Sequence, residues 1–329
     1  MAAHILTPSL ECDSEFRFTV ANDKTLQHRW AEEHGVRTKN LEQILALQIE
    51  DHKAEVVYSL DPIRFDSSFI RALPSCVKVA ICWLAAPQFG ADLSAYSLRV
   101  CNFPGILEDW RTKGLSGAWL TPAHDPEMNL YAQNRERPID VSFVGQYSWL
   151  HRQRNKVLEE LAELRHTHLI SLRLMCPRWK RLGNRRFLNR ISLPIPYLPK
   201  QLQTVCGPAV FGRDMYALFA QSKIVFNGAI DMSGTHRGNM RCFEALGCGA
   251  AMLSDRGMYS DGFTPGTHFD TFNDGSDVIT KIKKWLAAPT DVELMARRGF
   301  EFVKNNFTQE KQWRMFKQLA SSAEQIKRC

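Results

Sequence analysis

The sequence predicts an α/β protein with two parallel-sheet domains in tandem. Short apolar runs of strand length alternate with amphipathic helical stretches along most of the 329 residues, as sheets covered on both faces require. A polar, proline-bounded stretch at 122–138 interrupts that alternation and reads as a linker. After it, a strand, a glycine turn and a helix N-terminus arrive in that order twice, at 140–165 and again at 223–255. The length suffices for two cores of ordinary size.

In chain order, Glu15–Val20 has strand composition, and Lys24–His34 reads as a helix stopped by Gly35. Asn40 is the expected N-cap of an amphipathic helix carrying Leu41, Ile44, Leu45 and Ile49 at helical spacing. Strands follow at Glu55–Leu60, Val77–Trp83, Leu98–Asn102 and Gly117–Leu120, with helices at Ser67–Ala72 and Pro104–Lys113 between them. The second set opens with a strand at Asp140–Gly145 and a helix from Trp149 to Arg165 capped by Ser148. A strand at His168–Leu174, a helix at Phe211–Ala220 and a strand at Lys223–Asn227 come next. A short helix from Asn239, ended by Gly247 and Gly249, leads into a strand at Ala250–Leu253. A strand at Thr267–Phe272 and helices at Gly275–Ala288, Asp291–Asn306 and Thr308–Ile326 complete the chain. Thr308 caps the last of these, with Lys311 where a capping box would place glutamate.

Composition narrows the classes. The 44% hydrophobic and 23% charged content is that of a globular protein. No apolar run approaches the roughly 20 residues of a membrane span, and the N-terminus lacks the layout of a signal peptide. Nine cysteines are an odd number without a CxxC pair, which suggests neither a disulfide framework nor a zinc site and fits a reducing cytoplasm. The net charge of +7 admits an anionic ligand, a nucleic acid or a membrane surface and selects none. Arg178, Lys180, Arg181, Arg185, Arg186 and Arg190 form a basic insert with Trp179 and Phe187. Such a run serves a solvated face, a polyanion or a peripheral membrane contact.

The chemistry concentrates in the second domain. The approach Ser233-Gly-Thr-His-Arg-Gly238 delivers His236, Arg237 and Gly238 to a helix beginning Asn239-Met240-Arg241, with Glu244 one turn further on. A helix N-terminus with a glycine approach and two arginines can hold a phosphate, and Glu244 can accept hydrogen bonds from a ribose diol. The same spacing serves a βαβ unit whose helix only packs and whose Glu244 is solvated. At the earlier turn, Gly145 precedes His151, Arg152 and Arg154, cations that a bound anion would compensate against the helix dipole. Together these clusters point to a nucleotide or phosphate ligand.

The run Gly238-Asn-Met-Arg-Cys-Phe-Glu-Ala-Leu-Gly-Cys-Gly-Ala251, followed by Leu253-Ser-Asp255, resembles the donor-binding segment of GT-B glycosyltransferases, and most nearly their CgeB-like group within the glycosyltransferase group 1 superfamily. Asp140–Gly145, Phe211–Met215, Ser222–Asn227 and Pro265–Phe272 are similar to the same group. The resemblance spans about 40–315 and is strongest from Asp140 on. It implies two Rossmann-like domains facing a cleft: 1–125, a linker at 126–138, a nucleotide-sugar domain at 139–306, and a final helix at 307–329 crossing back to the first domain. It also implies an enzyme moving a sugar from a UDP-, GDP- or dTDP-linked donor, with no other cofactor. Glu244 would take the ribose hydroxyls, and Arg241 and Arg152 the diphosphate. Asn239 and the amides of Arg237, Gly238, Asn239 and Met240 would hold phosphate oxygens, while Gly145 would admit the donor. Fixed cations and helix-end amides can stabilise a leaving diphosphate without metal, and no DxD stands in a metal-site context.

One position departs from the pattern. Many retaining members carry a second glutamate seven residues before the ribose glutamate, and here that residue is Arg237. An inverting enzyme needs a general base from the first domain, for which Asp13, Asp61 and His124 qualify by type. His236 is placed to touch sugar or phosphate. The acceptor (glycan, lipid-linked, protein or small molecule) and the oligomeric state are not legible, and no specific nucleic-acid partner is expected. A nucleotide-sugar epimerase or hydrolase on the same fold, a polyanion or membrane-surface binder using 178–190, and a scaffold without chemistry are the rival readings.

Overall fold

The computed structural model describes residues 6–85, 90–148, 151–175, 198–228, 234–259 and 262–328. The basic insert at 178–190 lies outside the described residues. Two compact units make up the chain, one of His4–Ala123 with Phe307–Cys329 and one built on His124–Asn306.

In the first unit, α1 (Thr7–Leu10) and α2 (Lys24–Glu33) precede α3 (Leu41–His52). The Asn40 side chain caps α3, accepting from the amides of Glu42 (2.9 Å) and Gln43 (3.2 Å). A parallel sheet follows in the order β1 (Val56–Ser59), β2 (Val79–Trp83), β3 (Leu98–Cys101), β4 (Gly117–Trp119), linked through α4 (Ser67–Arg71) and α5 (Pro104–Thr112). Every residue of β2 is buried, because helices cover both faces of its sheet. Val79, Ile81 and Trp83 pack with Phe316 and Ala323, while Ala80 and Cys82 pack with Trp110 of α5. This is the two-residue alternation of a strand covered on both sides. Phe316 and Ala323 belong to the last helix, α13 (Gln309–Arg328), which is further tied down where Gln312 Nε2 donates to the Thr121 carbonyl (2.9 Å). Thr308 Oγ1 accepts the Lys311 amide at 3.3 Å, a bare cap without its box.

Residues 15–20 do not form the strand their composition suggests. Thr19 is held by side chains instead: Gln27 Nε2 donates to its hydroxyl (2.9 Å), which donates to Gln48 of α3 (3.2 Å). Phe16 meets the Trp313 ring edge-on at 6.1 Å.

The second unit carries the larger sheet, entirely parallel, in the order β10-β9-β8-β5-β6-β7. These strands are β5 (Ile139–Gln146), β6 (Ile170–Met175), β7 (Cys206–Gly207), β8 (Ser222–Asn227), β9 (Ala251–Asp255) and β10 (Asp270–Phe272). Helices α7 (Arg152–Glu163) and α11 (Gly275–Ala287) share one core with Val141, Phe143, Ile224, Phe226 and Leu253. The remaining α-helices of this unit among the described residues are α6 (Met128–Ala132), α8 (Lys200–Gln203), α9 (Gly212–Ala220), α10 (Met240–Gly247) and α12 (Pro289–Asn306).

Three local expectations are corrected. The stretch read as a linker contains α6, whose Met128 is fully buried and whose Tyr131 meets Tyr216 of α9 at 5.7 Å. Helix α7 starts at Arg152 with His151 as N-cap. Ser148 contributes its carbonyl, which accepts from the His151 amide (3.0 Å) and Asn155 Nδ2 (2.7 Å). Only the last three residues of the strand expected at 267–272 pair with β9. Before them, Gly266 at φ +80° makes a turn in which its amide bonds the Phe269 carbonyl at 2.7 Å.

His124 is buried with its ring edge-on to Phe300 (6.0 Å) and its Nε2 3.0 Å from Asn129 Oδ1. Burial lowers its pKa, against the smaller raising effects of the Asn129 bond and the Asp125 charge, and the charge of Lys304 lowers it further. The unfolded chain therefore binds this proton more readily than the folded unit does. The neutral ring contributes stability that is present above the ordinary histidine value of about 6.5 and is lost as pH falls through its lower folded value. Urea unfolding of the wild type between pH 7 and pH 5 is expected to show that loss, and His124→Gln to flatten it. An unchanged slope in the variant would assign the pH dependence elsewhere.

Candidate functional site

Strand β5 has β6 on one side and β8 on the other, so the order of the sheet reverses between β5 and β8. Open α/β sheets form their ligand crevice outside the carboxyl ends of strands at such a reversal. The register shows the crevice opening: β5 pairs with β6 as far as Gln146–Met175, but with β8 only as far as Ser142–Val225. Two arginines occupy the gap. Arg241 Nε donates to the Val144 carbonyl (3.1 Å). Arg154 bridges the two strand ends, donating to the carbonyls of Gln146 (2.6 Å) and Gly228 (3.3 Å) with its guanidinium 5.5 Å from the Phe143 ring centroid. Close approach explains two glycines. A Cβ at Gly145 would lie 2.5 Å from Phe143 Cζ, and one at Gly228 would lie 2.7 Å from the Arg154 stem.

Helix α10 stands at this crevice. Its far end is a Schellman stop: the Gly249 amide bonds the Leu246 carbonyl (2.9 Å), the Ala250 amide bonds that of Ala245 (3.2 Å), and Gly249 sits at φ +71°. Gly247 is the last helical residue, and a side chain there would collide with Met128 of α6. At the near end, Gly238 at φ +141° admits the chain to Asn239, the N-cap. Asparagine is among the best capping residues, yet this one makes no cap bond. Its amide is exchanged with Asn227 at the end of β8, Nδ2 to Oδ1 in both directions (3.0 and 3.1 Å). Asn227 also reaches Ser254 Oγ of β9 (3.0 Å). The side chain that would cap the first-turn amides instead locks the helix to two strands.

Glu244, one turn on, is 2% exposed and pairs with Arg241 Nη1. Arg241 also stands over Phe219 at 5.9 Å and keeps its side chain 23% exposed. Beside them, Tyr216 is buried and donates to Asp125 Oδ2 (3.2 Å). Burial, and then the charges of Asp125 and Glu244, raise its pKa above the ordinary tyrosine range, so the phenol keeps its proton.

The remaining candidates occupy distinct settings. Met240 is the first residue of α10 and is half-buried. Arg152 is exposed at the first position of α7. His236 is half-buried, and among the described residues its Nδ1 is enclosed with no hydrogen-bond partner. The Arg237 amide donates to the Met258 carbonyl (2.7 Å), and its guanidinium forms an ion pair with Asp255 (Nε to Oδ2, 2.8 Å). Asp13 lies in the other unit, exposed in a turn where its carboxylate accepts the Glu15 amide (2.9 Å). The structure thus groups Gly145, Gly238, Asn239, Arg241 and Glu244 around α10 and the β5–β8 gap.

Sequence reasoning missed Asn227, Tyr216 and Asp255 as members of this cluster, and it read Arg154 as an anion ligand or a solvated cation when its guanidinium ties two carbonyls together. Their partners lie one or more elements away, where spacing carries no signal. Among the described residues no three His, Cys, Asp or Glu side chains gather to hold a metal, and no helix is long and apolar enough to cross a membrane.

Residues 152–318, just over half of the chain, match the sequence profile described as glycosyl transferase-like. The chain belongs to this glycosyltransferase family and is an enzyme of the sugar-transferring class, with the GT-B fold. No curated protein matches it by sequence. Its fold is similar to that of sucrose-phosphate synthase from Thermosynechococcus elongatus, with 13% identity and a TM-score of 0.53 over 85% of this chain and 76% of that one. HepE from Anabaena, solved in complex with UDP and glucose, is 12% identical with a TM-score of 0.55 over 85% and 82% of the two chains. A glycosyltransferase from Rickettsia africae is 12% identical with a TM-score of 0.52 over 90% and 87%.

Proposed function

We propose that the His124–Asn306 unit binds a nucleoside-diphosphate sugar and that the enzyme transfers the sugar to a hydroxyl acceptor without a metal ion. The observation that carries this reading is the uncapped start of α10, where the N-cap side chain is diverted to Asn227 while Arg241 and Glu244 stand one turn inside. First-turn amides lacking intrahelical acceptors make an anion site. In this role the amides at Gly238, Asn239 and Met240 receive diphosphate oxygens, and Arg241 and Arg152 supply positive charge. Glu244 accepts the ribose hydroxyls, and the backbone at Gly145 borders the donor. His236 donates to the sugar or the leaving phosphate.

The transfer breaks the bond from the anomeric carbon to the diphosphate oxygen and forms one to the acceptor oxygen, whose proton leaves. If the transfer inverts, a general base takes that proton. Negative charge develops on the departing diphosphate, so fixed cations and amides there bind the transition state more tightly than the ground state. UDP is the favoured diphosphate because HepE, of like fold, is solved with UDP-glucose. The buried free thiols Cys82, Cys101, Cys242 and Cys248 suit a reducing cytoplasm.

Incubation with UDP-glucose, GDP-mannose, dTDP-glucose or ADP-glucose in excess EDTA tests the proposal. The protein is expected to release one nucleoside diphosphate faster than the Glu244→Ala variant does. Release that requires an added divalent cation would overturn metal independence, and failure of every donor and its nucleoside diphosphate to bind the folded protein would overturn the function.

A further inference from the structure

Two loops at the carboxyl ends of neighbouring strands are zipped together beside α10. One runs over 234–239 between β8 and α10, and the other is Asp255–Tyr259, continuing β9. The Arg237 amide donates to the Met258 carbonyl and the Met258 amide to the Thr235 carbonyl, each at 2.7 Å. The Arg237 guanidinium lies along this seam. Its Nε meets Asp255 Oδ2 at 2.8 Å, and its Nη1 donates to the carbonyls of Gly234 (2.7 Å) and His236 (3.0 Å). The two charged side chains are only 13% and 21% exposed. Gly257 closes the seam on the other loop, because a Cβ there would stand 2.5 Å from the Thr235 carbonyl oxygen and 2.7 Å from Arg237 Cγ. Tyr259 then donates its hydroxyl to the Asp255 carbonyl (2.7 Å).

We propose that Arg237 and Asp255 are positioning residues, a charged clasp that holds the His236–Asn239 approach in shape for the donor, and that the Arg237 guanidinium is not itself a donor ligand. The proposal rests on the reading of the α10 N-terminus as the donor site. The segment needs such a clasp. Apart from the His236–Met258 bridge it lies outside helix and strand, with Gly234 at φ +56° before it and Gly238 at φ +141° within it, a composition that leaves a chain loose. Asn239 is anchored to Asn227 at one end, and the clasp anchors Arg237 just before it. His236 is thereby presented from a fixed backbone with its Nδ1 enclosed. An amide cradle already in place spares the ordering cost on binding and keeps its donors aimed where charge develops. Arginine suits the position, since it carries a positive charge beside a carboxylate and N–H groups that donate to carbonyls.

Four variants test this: Arg237→Gln, Asp255→Asn, the double substitution, and Gly257→Ala, which wedges the seam while keeping both charges. Amide hydrogen exchange at Arg237 and Met258, and calorimetric titration with UDP, are the readouts. Each single substitution is expected to speed exchange at both amides about tenfold and to weaken UDP by a similar factor. The double substitution should be no worse than the worse single, since the two residues act as one unit. Gly257→Ala should reproduce the effect. Loss of UDP in Arg237→Gln alone, with Asp255→Asn and Gly257→Ala unaffected, would make Arg237 a direct ligand and overturn the clasp. Unchanged exchange in every variant would overturn it too. If the wild type binds none of UDP, GDP, dTDP and ADP the donor reading fails, and the exchange measurements still decide whether the clasp exists.

Discussion

Arg137→Ala is expected to destabilise the His124–Asn306 unit by about 3 kcal/mol or more, although Arg137 lies in a stretch that reads as linker. Its guanidinium donates to three backbone carbonyls from separate elements: Phe219 (3.0 Å) in the last turn of α9, Ser222 (3.0 Å) in β8, and Cys248 (3.1 Å) at the end of α10. C-terminal helix ends leave carbonyls without intrahelical partners, and a cation there also interacts favourably with the negative end of the helix dipole. Each buried acceptor left unsatisfied costs about 1–3 kcal/mol. Urea unfolding followed by tryptophan fluorescence reads the effect. The exposed neighbour Arg135 is the control, where alanine should change stability by less than about 0.5 kcal/mol. Equal effects at the two positions would show that water replaces the arginine at those helix ends.

The second large effect is an asymmetry within the Arg241–Glu244 pair. Removing one partner of a buried ion pair leaves the other charge uncompensated, at a cost of about 3–5 kcal/mol when burial is complete. Arg241→Ala removes the ion-pair partner of a carboxylate that is 2% exposed. Glu244→Ala strands a guanidinium that is 23% exposed and still bonded to the Val144 carbonyl. The arginine variant is therefore expected to lose about 3 kcal/mol, the glutamate variant about 1 kcal/mol. Donor affinity should fall in both, by tenfold or more, as a charge-assisted bond contributes about 1.5–3 kcal/mol. A larger stability loss for Glu244→Ala would mean that Arg241, rather than Glu244, is the charge held away from water.

The segment from Asn239 to Asp255 was legible in the sequence because its determinants are local. The glycine stop, the apolar strand and the spacing of Arg241 to Glu244 all lie within a few residues, and the structure places α10 and β9 there. The α/β class was legible for the same reason, since strand and helix periods need no long-range information. Strand order was not. Periodicity cannot say that β5 sits between β6 and β8, which is what opens the crevice.

Side-chain commitment was the other hidden quantity. Beside a glycine turn, Arg237 and Arg154 look like phosphate ligands. Only the fold brings Asp255 to the first, and the Gln146 and Gly228 carbonyls to the second. Asn239 shows the converse. Its identity marks an N-cap, and only the proximity of Asn227 turns its amide away from that duty. Residues 15–20 misled because alternating aromatic and polar residues fit a strand wherever an edge is offered, and here Gln27 and Gln48 take the Thr19 hydroxyl instead.

The central claim is that the start of α10, with Glu244 inside it, is a nucleoside-diphosphate site. Calorimetric titration of UDP into the wild type and into Glu244→Ala, both in EDTA, tests it most directly. Saturable one-to-one binding to the wild type at micromolar UDP, weakened tenfold or more in the variant, is the predicted result. Absence of binding by UDP, GDP, dTDP and ADP to folded wild-type protein, or equal affinity in the two proteins, would contradict it.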